Sequence, residues 1–168
     1  ERTNFQLYSR KSKVVSPPGI KYFATGGLAI HSHHSDKKGA TGYLAFNGAF
    51  HSRQHKHADD FTIQLFSNGE NIISDPGTFT YQYDLPERMY VESTRAHNCL
   101  EIDGMNYSRF RKDAYGNCIQ SVDVLGEFVL IDAEVIRERL VSSSIPNNQV
   151  KISDAVDVKI THRRKIIY

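Results

Sequence analysis

One β-hairpin is encoded by the stretch Phe61-Thr62-Ile63-Gln64-Leu65-Phe66-Ser67-Asn68-Gly69-Glu70-Asn71-Ile72-Ile73. Two apolar runs flank its centre, and Asn-Gly is a pair that tolerates the positive φ angles of a tight hairpin turn. Each run has the length of a short β-strand. The stretch therefore predicts two strands joined by a tight turn, and it indicates the kind of unit from which the rest of the chain is built.

Short apolar runs of the same kind recur along the chain, and few stretches have the 3.6-residue period of an amphipathic helix. Further runs lie at residues 42–46, 99–102 and 127–131, and turn-forming sequences such as Asp75-Pro76-Gly77 separate them. This pattern predicts an all-β fold, an antiparallel β-sandwich of many short strands. A helix is permitted by the sequence in residues 84–92 and 132–141.

Composition excludes several classes of protein. The chain has 168 residues, and its nine Phe and nine Tyr supply enough apolar surface for a packed core. No apolar run approaches the roughly 20 residues of a membrane-spanning helix. A total of 21 Lys and Arg against 19 Asp and Glu is too balanced for a dedicated nucleic-acid binder. Cys99 and Cys118 permit either one disulfide or two free thiols.

The C-terminal residues look like part of a sheet. Residues 155–161 alternate between polar and apolar, and residues 163–168 resemble the beginning of another strand. We therefore expect residues 1–168 to be a single β-sandwich domain, excised from a larger chain and truncated at its C-terminal end.

A cluster of histidines includes the sequence His55-Lys56-His57. In an extended chain, side chains two residues apart point to the same side, so both imidazoles would share a face. Such a pair can bind a metal, or one ring can bind while the other transfers a proton. The alternative is a pair of surface histidines in a polar loop.

Two later segments offer further metal ligands. Asp75 precedes Pro76, which favours an extended backbone followed by a turn, and would lie at the end of a strand. His97 precedes another predicted strand. Two histidines and one aspartate form an acceptable zinc-binding set.

These segments together resemble the heparinase II/III-like polysaccharide lyases. The resemblance covers about residues 20–105, and it rests on His55-x-His57-Ala58-Asp59, on Asp75-Pro76-Gly77 followed by Tyr81, and on Arg88-x-Tyr90-x-x-Ser93-Thr94-x-Ala96-His97-Asn98. In such lyases this region is a β-sandwich domain that follows an N-terminal (α/α) toroid. The present chain contains no toroid sequence.

The resemblance implies a function for individual residues. His57, Asp75 and His97 would bind a structural metal, usually zinc, with Ca²⁺ or another divalent ion as the alternative, and His55 would take part in catalysis. Tyr81, Arg88 and Asn98 would contact the substrate, with Tyr83 and Tyr90 as further tyrosine candidates. A packed aromatic ring is the alternative for each tyrosine, and a structural hydrogen bond or ion pair is the alternative for Arg88 and Asn98.

The reaction implied by the resemblance is β-elimination next to a uronic acid in an acidic polysaccharide. Part of the active site would come from the toroid of the parent chain, so we expect the isolated domain to be inactive. The expected partners are the polysaccharide and the toroid, without nucleic acid or a membrane span, and the expected location is periplasmic or secreted.

Two other functions are compatible with the sequence. A cupin-like metalloenzyme also combines a β-sandwich with H-x-H, but its acid usually follows within a few residues, where this chain has only Asp59 and Asp60. A non-catalytic module that binds acidic glycans or packs against another domain is the second alternative. Redox-active iron or manganese would indicate the cupin, and full activity of the parent after replacement of His55 would indicate the module.

Overall fold

The computed structural model describes residues 19–35, 40–50, 56–107, 116–145 and 149–168. These residues are mostly β-structure with one short α-helix, α1, at Pro86–Glu92. The strands are β1 Gly19–Phe23, β2 Leu28–Ser35, β3 Ala40–Asn47, β4 Ala49–Phe50, β5 Ile63–Ser67, β6 Glu70–Ile73, β7 Met105–Tyr107, β8 Gly116–Asn117, β9 Ile119–Leu125, β10 Phe128–Ser142 and β11 Ala155–Ile167. Single 3₁₀ turns occur at Thr94–Ala96 and Ile152–Asp154.

One sheet has five antiparallel strands in the order β1-β2-β3-β5-β6. Its last two strands are the hairpin predicted from the sequence. Asn68 and Gly69 connect them with φ angles of 51° and 91°, as a tight hairpin turn requires. The predicted hairpin is confirmed.

The second sheet is built on the long strand β10. Strand β11 pairs along one edge of β10, whereas β9 and β7 pair with its beginning and its end. A separate pairing joins β4 and β8. All of these pairings are antiparallel.

The core lies between the two larger sheets. The five-stranded sheet contributes Ala29, Leu44 and Phe46, and β10 contributes the buried series Val129, Ile131, Ala133 and Val135. From Val129 to Arg137 every second residue of β10 is buried, as the pleat of a strand dictates. The predicted antiparallel β-sandwich is confirmed.

The two regions in which the sequence permits a helix have different structures. Residues 86–92 form α1, which begins at Pro86, a favoured residue in the first helical turn because its missing N–H has no partner there. Residues 132–141 lie within β10, so the helix that the sequence permits there does not form. The alternating burial of this segment outweighs the helix-compatible charges of Glu134 and Glu138.

The C-terminal strand and the two cysteines were the subject of further expectations. Residues 155–167 form one continuous strand instead of two, with a shift in register opposite residues 137–139. Cys99 and Cys118 are both free thiols, which leaves the second of the two possibilities. None of the helices in the described part of the chain has the length and apolar content needed to cross a bilayer.

Candidate functional site

The structure brings together the three residues predicted to bind metal. His57 lies in the irregular segment before β5, Asp75 follows β6, and His97 follows the turn at Thr94–Ala96. The ring centroids of His57 and His97 are 5.5 Å apart, and His97 Nδ1 lies 3.1 Å from Asp75 Oδ2. Residues separated by 40 positions along the chain thus form a single cluster, which we call the His57 cluster.

Local backbone contacts hold the two loops of the His57 cluster. The carboxylate of Asp75 accepts a hydrogen bond of 2.9 Å from the N–H of Gly77, which has a φ angle of 72°. This turn closes the Asp75-Pro76-Gly77 segment because glycine adopts positive φ without steric cost. On the other side, the N–H of Ala58 donates to the carbonyl of Glu92 at 2.9 Å. The residue next to His57 is therefore fastened to the end of α1.

The two imidazoles of the cluster are shielded from solvent, whereas the Asp75 side chain is 30% exposed. His57 and His97 are each only 8% exposed. Burial, followed by the nearby His97 ring, lowers the pKa of His57 to about 4. The contact with His97 is the main cause that lowers the pKa of Asp75. Two buried imidazoles and an ionised carboxylate therefore stand side by side.

The chemistry of this donor set fits a zinc ion. Both ring nitrogens of His97 are buried, and neither makes a hydrogen bond of good geometry, including Nδ1 in its contact with Asp75. Unpaired buried nitrogens are costly, and metal ligation is one way to satisfy them. Within the residues that the structure describes, no group of three His, Cys, Asp or Glu side chains already has the arrangement of ligands around one ion. Metal binding at the His57 cluster is therefore a proposal.

Arg88 lies beside the cluster, with its guanidinium directed into the domain. The residue is 1% exposed, its Nη2 lies 2.5 Å from Glu92 Oε1, and its Nη1 donates to the carbonyl of Thr78 at 2.5 Å. These contacts tie α1 to the loop that follows Asp75. The structure thus shows a buried ion pair, which was the alternative for this residue, and the predicted substrate contact remains a prediction.

The side-chain amide of Asn98 makes hydrogen bonds with the main chain of β5. Its Oδ1 accepts from the N–H of Ile63 at 2.8 Å, and its Nδ2 donates to the carbonyl of Ile63 at 2.9 Å. Because both ends of the amide are engaged, Asn98 holds β5 next to the loop that carries His97. Here too the structure shows the structural alternative, and substrate contact remains a prediction.

The predicted tyrosines lie at different depths. Tyr81 is 69% exposed, with its ring centroid 5.9 Å from the Arg88 guanidinium carbon. Tyr90 is 53% exposed on α1, whereas Tyr83 is half-buried with its ring 5.2 Å from Arg88. His55, the predicted catalytic residue, lies outside the described residues. The expected shared face of His55 and His57 is therefore not tested.

A buried charged network beneath the cluster was not predicted from the sequence. Asp60 Oδ2 lies 2.9 Å from Arg137 Nη1, and Asp60 Oδ1 lies 2.8 Å from Lys56 Nζ. The main chain of Asp60 is also held, because its N–H donates to the Tyr107 hydroxyl and its carbonyl accepts from the Cys99 thiol at 3.1 Å. One sequence signal was available: Arg137 continues the inward-facing series of β10, where an arginine needs a buried partner.

Comparison with known protein families identifies the family to which the domain belongs. The family model described as heparinase II/III-like, C-terminal, matches residues 15–167. The chain belongs to the heparinase II/III-like family. The matched range extends well past residues 20–105, on which the resemblance rested, and it favours the lyase interpretation over a cupin. Neither a search of curated proteins nor a search of solved structures finds a significant match to the chain.

Proposed function

We propose that this heparinase II/III-like domain contributes one part of the active site of a lyase that cleaves a uronic-acid-containing polysaccharide by β-elimination. The His57 cluster is the observation that supports the proposal most directly. Two buried imidazoles and a carboxylate converge there within a domain of a polysaccharide lyase family. His97 Nε2 is buried without a hydrogen bond, and a bound metal would compensate for that cost.

His57, Asp75 and His97 are the proposed ligands of a structural zinc ion. When bound, zinc would hold the segment before β5, the Asp-Pro-Gly turn and the loop after Thr94–Ala96 in one arrangement. The burial that lowers the pKa of His57 keeps its ring neutral near pH 7, which is the form that ligates a metal. The ionised Asp75 supplies a negative charge that offsets that of the cation.

The proposed reaction begins with removal of the proton at C5 of the uronate by a base. The electron pair from that C–H bond forms the C4–C5 double bond while the C4–O bond breaks, and the departing oxygen takes up a proton. Histidine can accept a proton near neutral pH, and His55 is proposed to take part in this transfer. A hydrogen bond or positive charge at the uronate carboxylate would make the C5 proton more acidic.

Tyr81 is the exposed member of the three proposed substrate contacts. Its ring centroid lies 5.9 Å from the guanidinium carbon of Arg88, which lies beside the His57 cluster. Arg88 and Asn98 are proposed to support it, because their side chains fasten the loop after Asp75 and the start of β5. Substrate would therefore bind at a surface whose loops are fixed by the buried contacts of Arg88 and Asn98.

The remaining catalytic groups are proposed to come from an N-terminal (α/α) toroid of the parent protein. On this basis the isolated domain has little or no lyase activity. The proposed location is periplasmic or secreted, where a polymeric uronate substrate would be encountered. Robust formation of unsaturated uronate by the isolated chain would contradict this part of the proposal.

Zinc binding is the first test of the site. The purified chain, stripped with a chelator and dialysed, is expected to bind one equivalent of zinc by calorimetry. Asp75→Ala should abolish that binding, whereas Asp157→Ala, which removes a carboxylate that is 92% exposed on β11, should preserve it. Absence of zinc binding by the unaltered chain, or equal binding by the Asp75 variant, would overturn the metal site.

A further inference from the structure

Three ring-bearing side chains outside the His57 cluster meet at the margin of the core. His31 and His33 lie two positions apart on β2, so they point to the face of the strand that carries the buried Ala29. Tyr168 follows β11 in the other sheet, where its N–H and carbonyl exchange hydrogen bonds of 3.0 and 2.9 Å with Val129. The three side chains therefore span the two sheets, and we call them the His31 cluster.

The spacing of the His31 cluster is that of ligands around one ion. The Tyr168 hydroxyl lies 3.4 Å from His33 Nδ1, which is long for a hydrogen bond. Two donors bound to one ion at about 2.0–2.1 Å in tetrahedral geometry stand about 3.4 Å apart. The Tyr168 ring also lies 5.3 Å from the His31 ring, centroid to centroid, with an angle of 71° between the planes.

His31 brings a nitrogen without a partner to this cluster. Its Nδ1 is buried and makes no hydrogen bond within the described residues, which is costly for a ring nitrogen. Burial, followed by the nearby His33 ring, lowers the pKa of His31, so this imidazole is neutral near pH 7. Neutral imidazole is the form that ligates a metal. His33 is exposed and gives an ion access from solvent.

Gly42 makes room for the His33 ring. It is the register partner of His33 on the neighbouring strand β3. A Cβ atom added at Gly42 would collide with His33 Cε1 and would lie 3.0 Å from His33 Nδ1. Because His33 is exposed, its ring can turn outwards while the strand stays paired. A methyl group at position 42 would thus separate His33 from the cluster and leave all three donor residues in the chain.

We propose that His31, His33 and Tyr168 form a second metal site, which binds a divalent transition-metal ion, preferably Cu²⁺, and links the two sheets. Imidazole suits copper, and Cu²⁺ binds a given set of nitrogen and oxygen donors more tightly than the other divalent ions of its row. Zinc binds such donors less tightly and fills the His57 cluster first. On binding, Tyr168 releases its hydroxyl proton to solvent and ligates as phenolate. None of the proposed lyase residues takes part, so the site does not rest on the proposed function.

Titration of the chelator-treated chain with Cu²⁺ tests this site, with Asp75→Ala present throughout to remove the proposed zinc ligand. One equivalent of Cu²⁺ should bind and raise the melting temperature by about 5–10 °C when the free ion is at about 100 times its dissociation constant. His33→Gln and Gly42→Ala should each weaken binding by about tenfold or more, since even residues that only support metal ligands have effects of that size. His34→Gln, which removes an exposed histidine from the opposite face of β2, is the matched control and should bind Cu²⁺ normally.

A spectroscopic signature distinguishes this site from copper held elsewhere, including by His57 and His97. Phenolate bound to Cu²⁺ gives a charge-transfer band in the visible region, and Tyr168→Phe should abolish it. Absence of binding, equal binding by the His33 and His34 variants, or a band that persists in Tyr168→Phe would overturn the site. Melting temperatures in excess chelator should agree among the variants, so that a loss of copper binding reports the site and not unfolding.

Discussion

Arg137 and Asp60 form an ion pair inside the domain, with Nη1 2.9 Å from Oδ2 and side chains that are 6% and 3% exposed. The Arg137 guanidinium also lies 3.9 Å above the centroid of the Tyr107 ring. Asp60 is three residues from His57 and directly precedes Phe61, which packs in the core at 0% exposure. The pair therefore links the interior of β10 to the segment that carries the His57 cluster.

Removal of either member of this pair should strongly destabilise the domain. We expect Arg137→Met or Asp60→Asn to lower the free energy of unfolding by about 3–5 kcal/mol, because Arg137 would lose its carboxylate in one variant, and Asp60 would keep the Lys56 contact but lose Arg137 in the other. Urea denaturation measures the effect. The double variant should lose less than the sum of the two single variants, since the contact between the two side chains can be lost only once.

The pair between Arg163 and Asp132 provides the control. Arg163 has a side chain that is 54% exposed, so Arg163→Ala should change the urea midpoint little. Equal effects of the Arg137 and Arg163 variants would contradict a special contribution of the buried pair.

The effect of His97→Phe on stability should depend on zinc. In the presence of zinc the variant should melt at a lower temperature than the unaltered chain, because it loses a ligand. In excess chelator the difference should shrink or reverse, because the phenyl ring removes the buried Nε2, which lacks a hydrogen bond. Thermal melts under both conditions measure this. A difference in melting temperature that does not depend on zinc would argue for a purely structural histidine.

Protonation of His162 should destabilise the folded domain in acid. Burial, followed by the charges of Arg137 and Arg164, lowers its pKa in the folded domain to about 4. Between that value and the unfolded value of about 6.5, the unfolded chain binds the proton more strongly. The contribution of this residue to stability is therefore complete above about pH 6.5 and is lost as the pH falls towards 4.

The measurement is a series of urea midpoints between pH 7.5 and 4, taken with chelator present so that zinc does not contribute. His162→Gln, which cannot titrate, should show a shallower decline than the unaltered chain. Parallel declines would show that other groups cause the acid sensitivity.

Asn98→Ala should destabilise the domain even without substrate. The change leaves the N–H and the carbonyl of Ile63 without their side-chain partners, at a cost of about 1–3 kcal/mol. Asn71→Ala, at an exposed position of β6, serves as the control in the same urea titration. An unchanged midpoint for Asn98→Ala, together with reduced turnover in the parent protein, would instead assign Asn98 to the substrate.

Local patterns in the sequence determined the strands and the hairpin of this protein. Alternation over β10 and the Asn68-Gly69 turn are properties of neighbouring residues, which backbone sterics and burial translate directly into structure. The charges in residues 132–141 are compatible with a helix, but these residues form a strand. Helix propensity is also a local property, and here it is weaker than the burial of one strand face.

Contacts between distant residues were decided by the tertiary structure. His57, Asp75 and His97 were predicted as a set from a family resemblance, but only the pairing of β5 with β6 and the turn before His97 bring them within contact distance. The sequence likewise allowed Asn98 and Arg88 to face either the substrate or the protein. Their partners, Ile63, Glu92 and Thr78, are set by how loops pack on the sheets, and that packing depends on contacts too far apart in the chain for any local pattern to record.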